Sequence, residues 1–276
     1  MTESPTVSIV IPAYNEEATI GHCVLAALAQ TVPAHEIIVV DNRSTDGTAA
    51  AVAALQAAYP DAPIRYLQQD AVQGLIPTRD FGLDSATGEV LGRIDADSVL
   101  EPTWVEEVQK VFADPAVAGA TGPVIYYDMP LRRFGHKADD ALRRAVNKVT
   151  REFHLVFGSN MALRASAWRA IRDEVCLDEA DQLHEDVDIS IHLHAHDLPV
   201  AYSSGMVTGM SARRLDDSPR EFYSYVMRFE RTYKAHGIKG LGVRAPMAIF
   251  LSTYPALKAV REGELRKARR AARSKG

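Results

Sequence analysis

Cysteine is nearly absent from this chain: Cys23 and Cys176 are the only two in 276 residues. Two thiols supply neither a metal-ligand spacing nor a disulfide framework, so a reducing compartment fits the composition best. Long apolar runs are also missing. The longest late stretch, APMAIFLSTYPAL at 245–257, is too short to span a bilayer and carries Pro246 and Pro255. It fits packing on the body of the protein or lying on a membrane surface. The opening MTESPTVSIV has no basic segment and no long apolar core, so no signal peptide is expected. Positive charge is not in excess: 31 Lys and Arg against 36 Asp and Glu leave a net −5, which gives no invitation to nucleic acid. There is no P-loop, and GIKGLG at 237–242 fails both glycine fingerprints by spacing.

What charge there is lies unevenly. Residues 258–276 hold eight Lys and Arg and two acids, so this run carries +6 and the remainder about −11. Such a terminus reads as a solvated tail or as a contact for an anionic surface. Upstream, brief β-branched runs alternate with helical patterns. VSIVI (7–11), EIIVVD (36–41), IRYL (64–67) and EVLGRID (89–95) read as strands, with helical spacing at 18–30, 48–59 and 76–85. Strands alternating with helices predict a mostly parallel sheet covered on both faces. Further helices are expected at 102–112, at 131–153 with a break near Gly135, after a short strand in SNMALRASAWRAI with a cap near Ser166, in HEDVDISIHLHAH, and at 218–236. AGATGPVIYY and VAYS read as later strands. The division that follows is an α/β body over 1–211 and a helical extension with a basic tail over 212–276.

The polar clusters stand where strands end: PAYNEE after the first, DNRSTDGT after the second, DADS after the fourth. In a parallel sheet these carboxyl ends share one edge, and ligands bind in the crevice outside it. Asp41 can accept from a nucleobase N–H; the competing use of this loop is a turn and helix start through Ser44–Gly47. Asn15, Glu16 and Glu17 likewise serve as a helix start in the plainer account. In DAD, residues i and i+2 of an extended segment point the same way, so Asp95 and Asp97 can share an oxygen-liking cation such as Mg²⁺ or Mn²⁺. His184, Glu185, Asp186 and Asp188 crowd together, which suits either a helix N-terminus or a carboxylate whose repulsion raises its pKa.

VSIVIPAYNEEATI, IIVVDNRSTDGT, GLIPTRDFGL, GRIDADSVLEPTWV and HEDVDIS occur in the order and approximate spacing of family 2 glycosyltransferases. The resemblance runs from Val7 to about Arg214. It implies the GT-A fold: a Rossmann-like, mostly parallel central sheet flanked by helices, continued here by the helical extension. It implies a nucleotide-sugar donor, Mn²⁺ or Mg²⁺, and inversion at the anomeric carbon. By position it places Pro12, Tyr14, Glu16 and Asp41 at the nucleoside, Arg79 near the phosphates or ribose, and Asp95 and Asp97 in the D-x-D, with Asp97 the direct ligand. Asp186 matches the family's base, with Glu185 beside it. Gly158 and Asn160 fall where members shape the acceptor side. Arg213 and Arg214 are candidate diphosphate contacts.

Some residues depart from the family's pattern. Asn42 follows Asp41 where a second Asp is common. TRD replaces ARN, so Asp80 adds a negative charge near the phosphate site or pairs with Arg79. Ser98 follows DAD where an acid is common. No late His stands in VTGMSARR, leaving His236 or water to complete a metal shell. His192 and His196 share a helix face with Asp188, but the zincin pattern needs His where Asp188 stands, so a zinc enzyme is not indicated. Trp104 and Trp168 fall in helical patterns and are expected in the core. A nucleotidyltransferase making sugar nucleotides would need a Gly-rich, Arg-Lys start, which is missing. The acceptor is expected to be a lipid phosphate, a glycan or a small molecule, and the location cytoplasmic, with peripheral membrane contact through the extension. A non-catalytic protein binding nucleotide-sugar or glycan on the same scaffold is the alternative.

Overall fold

The computed structural model describes residues 4–130, 132–149, 154–178, 182–239 and 245–273. The ends of the expected 131–153 helix, the end of GIKGLG and the last residues of the basic run lie outside these. Strands β1 (Val7–Ala13), β2 (Glu36–Asp41), β3 (Ile64–Gln68) and β4 (Val90–Arg93) alternate with helices α1 (Ile20–Leu28), α2 (Thr48–Ala58) and α3 (Leu75–Ser85). Then come β5 (Val99–Leu100), α4 (Trp104–Phe112), β6 (Gly119–Thr121), β7 (Val124–Tyr126) and α5 (Arg132–Val149). The chain continues through β8 (Met161–Arg164), α6 (Ala165–Ile171), α7 (Glu185–Ala195), β9 (Val200–Tyr202) and β10 (Thr208–Met210). A 3₁₀ turn at Arg213–Asp216 precedes α8 (Pro219–Ala235) and α9 (Ala245–Arg273).

Seven strands form the main sheet in the order β3-β2-β1-β4-β8-β6-β9. The first four are parallel, and β8 runs antiparallel to both β4 and β6. Every residue of β1 and β2 is buried, which is why both read as unbroken apolar runs. One apolar cluster packs α1 and α4 beneath the sheet, with Trp104 fully buried; another packs α3, α6 and Trp168 above it. Both tryptophans are thus core residues, as their spacing suggests.

Register fixes the working edge. Ala13 lies opposite Asp41, so β1 and β2 end together, while Arg93 lies opposite Val10, so β4 ends three residues short of them. Met161 pairs with Arg93 and with Thr121, which brings the start of β8 and the end of β6 to that same edge. A small sheet, β5-β10-β7, continues from the residues after Asp97 and leads through β10 to Arg213.

Several expectations are corrected. β4 stops at Arg93 rather than Asp95, and the DAD segment is a turn closed by Ser98 N–H donating to the Asp95 carbonyl at 2.9 Å. Helix α1 starts after Thr19, not at Asn15–Glu17; Asn15 adopts a φ of 54°, which asparagine tolerates better than most residues. Helix α5 passes through Gly135 without a break, and α6 is entered from Arg164 rather than Ser166. The basic run is helical as far as Arg273; Arg261 is buried against Asp128 and Asp216, while Arg266 and Lys267 face solvent. At 218 the expected start holds: Ser218 and Glu221 form a capping box ahead of Pro219. A third apolar cluster joins Val187 and Ile191 of α7 to Phe222, Val226, Phe229 and Tyr233 of α8 and to Tyr254 of α9.

Candidate active site at the sheet edge

The first two loops lock together before any ligand is considered. Ser44 Oγ accepts from Asn15 N–H at 2.9 Å, Asn15 Oδ1 accepts from Thr45 N–H at 2.8 Å, and Thr48 Oγ1 accepts from Glu16 N–H at 2.9 Å. Asp46 takes the N–H of Thr48 at 3.0 Å, the turn chemistry expected of it. Asp41 is buried; its Oδ1 accepts from Ser44 N–H at 2.9 Å and its Oδ2 from the Tyr66 hydroxyl at 2.5 Å. A carboxylate has about four acceptor positions, so these bonds leave room for a further donor. Pro12 is buried within β1, while Tyr14 projects from the edge at 51% exposure.

Beyond this frame lie two networks of charge rooted in the DAD turn. Arg79, from α3, donates to Asp95 Oδ1 at 2.8 Å and to Glu185 Oε2 at 2.6 Å. The other Glu185 oxygen accepts from Arg93, which has no solvent exposure. Burial opposes the charge on Arg79, but Glu185 and Asp95 hold its pKa above the ordinary value. Burial, with Arg79 alongside, pulls Arg93 down. Glu185 is therefore clamped between two guanidiniums, which suits a positioning role and not that of a base. Arg93 is the residue that sequence reasoning missed. Its signal was an arginine inside a buried strand, where an ion must have a partner.

Asp186 sits next along α7 and is half-buried. Its Oδ2 accepts from Gly158 N–H at 2.8 Å and its Oδ1 from Val187 N–H at 2.9 Å. A Cβ at 158 would lie 2.3 Å from the Arg93 guanidinium, so any larger residue there must displace it. His184, at the start of α7, is buried against Phe229 and Tyr225, and burial lowers its pKa, so it is neutral at pH 7.

In the second network, Asp97 Oδ2 meets Arg213 Nε at 3.0 Å, and the same guanidinium reaches Glu16 Oε1 at 3.0 Å. Burial pushes Asp97 up to about 6; Arg213 opposes this, and Asp95 and Glu16 add to it. Asp95 and Asp97 reach the site through the turn and not through strand alternation. They also differ in burial, at 28% and 6% side-chain exposure. A desolvated carboxylate held above its normal pKa among other acids is one that gains from a cation. The acids at this edge offer oxygen donors of the kind Mg²⁺ and Mn²⁺ take, with substrate oxygens completing the shell. The residues therefore fit such an ion.

Four expected positions fall elsewhere. Asn160 is fully buried: its Oδ1 accepts from Trp104 Nε1 at 2.8 Å, and its Nδ2 donates to the carbonyls of Pro123 and Met206, so it braces the core instead of facing an acceptor. Arg214 pairs with Asp217 at 3.1 Å and lies over the Tyr225 ring. Asp80 does not pair with Arg79; it is buried 3.5 Å from Arg172, and burial pushes it up to about 7. His236 bonds to Asp188 at 2.7 Å and belongs to a second cluster, not to the DAD turn.

The model of the family described as "Glycosyl transferase family 2" matches residues 8–172. Among curated proteins, "Glycosyltransferase AglE" of Haloferax volcanii is 36% identical over 104 residues, 37% of this chain and 34% of that protein. "Succinoglycan biosynthesis protein ExoO" of Rhizobium meliloti is 33% identical over 116 residues, 42% of this chain and 31% of that one. The alignments thus span about a third of the length of these curated relatives. Among solved structures, the "Mannosyltransferase PcManGT from Pyrobaculum calidifontis in complex with GDP-Man and Mn2+" superposes with a TM-score of 0.62 at 20% identity, over 98% of this chain and 76% of that one. "S. aureus TarS 1-349 in complex with UDP" superposes with a TM-score of 0.58 at 16% identity, over 90% of this chain and 71% of that one. At these identities the structural likeness establishes the GT-A fold.

Proposed function

This chain belongs to glycosyl transferase family 2, and from that premise we propose that it moves a sugar from a nucleoside-diphosphate donor to an acceptor hydroxyl or phosphate. The observation that carries the reading is a DAD turn that roots two ion-pair networks: Asp97 shares Arg213 with Glu16, and Asp95 reaches through Arg79 to Glu185 beside Asp186. It joins the expected donor side to the expected base.

On this reading, Asp41 and Tyr14 meet the nucleoside at the β1–β2 edge. Asp97 and Asp95 would hold Mn²⁺ or Mg²⁺, which when bound neutralises charge building on the departing diphosphate. Arg213 spans two acids in the free protein and is half-exposed, so it is free to turn toward the diphosphate once a cation meets Asp97. Asp186 takes the acceptor's proton. The acceptor oxygen then bonds to the anomeric carbon as the bond to the diphosphate oxygen breaks, a single displacement that inverts the centre. The N–H groups of Gly158 and Val187 hold the Asp186 carboxylate in one orientation throughout. The body over 1–211 is the catalytic unit and 212–276 the extension.

The test is donor hydrolysis: the protein, Mn²⁺ and a panel of UDP- and GDP-sugars are incubated, and free nucleoside diphosphate is measured. Turnover that disappears in Asp97→Ala supports the enzyme. Donor binding without turnover across a broad acceptor panel would instead favour the non-catalytic binding protein.

A peripheral contact with the cytoplasmic membrane face is part of the proposal. Among the described residues no helix is long and apolar enough to cross a membrane. Helix α9 nevertheless exposes Ile249, Phe250, Leu257 and Val260 ahead of Arg266 and Lys267, an apolar face and a basic end suited to an interface. Failure to co-sediment with anionic vesicles at low salt would remove this part.

A further inference from the structure

Asp186 and Asp188 are two residues apart on α7, which turns them about 200° from each other around the helix. Asp186 faces the sheet edge. Asp188 faces the C-terminal helices and is 1% exposed. Its Oδ2 accepts from Cys176 N–H at 2.8 Å, and its Oδ1 accepts from His236 Nε2 at 2.7 Å. One turn further along α7, His192 points its Nε2 at the same Oδ1 from 3.8 Å.

The 3.8 Å gap is the informative distance. It is too long for a hydrogen bond, and His192 Nε2 is buried with no partner. The ring has not merely been left adrift, because its Nδ1 lies 3.3 Å from Glu174 Oε2. Glu174 thus takes one nitrogen and aims the other at Asp188, the arrangement in which a carboxylate orients a metal-binding imidazole. His236 completes the set, its ring edge-on to His192 with centroids 5.1 Å apart. The three potential ligand atoms lie within 4.8 Å of one another. Two ligands of one tetrahedral zinc ion, each about 2.0–2.1 Å from it, stand roughly 3.3 Å apart, so small side-chain rotations bring these three to that spacing.

We propose that Asp188, His192 and His236 bind a zinc ion that fastens the end of α8 to α7. Two imidazoles and one carboxylate suit a borderline transition ion, and zinc outranks Mn²⁺ and Fe²⁺ at such a site. The turn at Asp95 and Asp97 offers only oxygen and suits a harder ion. The two sites therefore separate by chemistry as well as by helix face. With three protein ligands and water in the fourth position, the zinc ion would sit between a helix end and a helix face and cross-link the segment that presents Asp186 to the C-terminal extension. Its ligands come from positions 188, 192 and 236, so it differs from the zincin spacing and does not use His196, which instead bonds to Glu174 at 2.8 Å.

The experiment uses the full chain purified without chelator, with metal content read by mass spectrometry after gel filtration and thermal stability read with and without added Zn²⁺. The expected result is one zinc per chain and a Tm that falls on chelation and returns with Zn²⁺. His236→Gln, at the C-cap of α8, and His192→Gln should each lose the zinc and the Zn²⁺-dependent rise in Tm. Glu174→Gln should bind zinc about tenfold to a hundredfold more weakly. Asp97→Asn should keep its zinc, which separates this site from the donor side. Absence of zinc with a Tm indifferent to Zn²⁺ would overturn the proposal. So would equal zinc in the wild type and in the His192→Gln, His236→Gln double variant, or stoichiometric iron in place of zinc.

Discussion

The sheet edge and the C-terminal helices draw on the same charged residue types and use them differently. At the edge, partners are far apart in sequence: Arg79 and Glu185 are separated by 106 residues, and Arg213 and Glu16 by 197. In α8 and α9, pairs such as Lys234–Glu230, Arg266–Glu262 and Lys267–Glu264 are three or four residues apart. Local pairs of exposed residues solubilise a helix and add little else. Long-range pairs that engage at least one buried residue hold only in one tertiary arrangement, so they define the geometry of a site. Within α9, Arg261 departs from the local pattern: it reaches Asp128 and Asp216, and it is buried.

The largest effect should come from the edge residue assigned chemistry. Asp186→Asn is expected to slow sugar transfer by about 10²–10⁴-fold, the usual contribution of a general base, while donor affinity measured by calorimetry stays near wild type. A transfer rate equal to wild type would take Asp186 out of the reaction and leave the edge with a framework only.

The next effect tests the framework itself. Glu185→Gln leaves the fully buried Arg93 without its counter-charge, a change of about 3–5 kcal/mol in urea unfolding. The matched change in the extension, Glu262→Gln, removes an exposed partner of Arg266 and should stay within about 0.5 kcal/mol. Equal losses in the two variants would erase the contrast between long-range and local pairs.

A third, smaller effect runs in the stabilising direction. Asp80 is buried and its pKa is raised to about 7, so the folded protein binds a proton there that the unfolded chain, near the ordinary carboxylate value, does not. Wild-type stability should therefore rise as pH falls from about 7 toward 4, and the charged form should be a burden above pH 7. Asp80→Asn should flatten that part of the profile and add about 2–4 kcal/mol at pH 8. Unchanged stability at pH 8 would mean that Arg172 compensates the charge fully.

Much of the edge was legible because its information is local. EIIVVD at 36–41 coincides with β2, and strand ends followed by polar loops mark the edge wherever a parallel sheet forms. The register then does the rest, setting Ala13 against Asp41 and Val10 against Arg93. What was not legible depends on pairs with no local signature. Nothing around Arg93 names Glu185, and nothing in FGSNMALR shows that Asn160 turns inward to Trp104. His236 offered no cue that its partner lies 48 residues earlier, on the far face of the helix that carries Asp186. The basic run is a mixed case: charge composition predicts solvation, which Arg266 and Lys267 show, but a long helix also buries a single residue such as Arg261 along one face.

The most direct test of the central claim is titration calorimetry of UDP- and GDP-sugars into the wild type and Asp97→Asn, each with and without Mn²⁺. Donor binding in the wild type should depend on Mn²⁺ and should be lost in the variant, even though removal of a desolvated charge leaves the variant folded. Equal, metal-independent donor binding in both proteins would contradict a cation held at the sheet edge by Asp97.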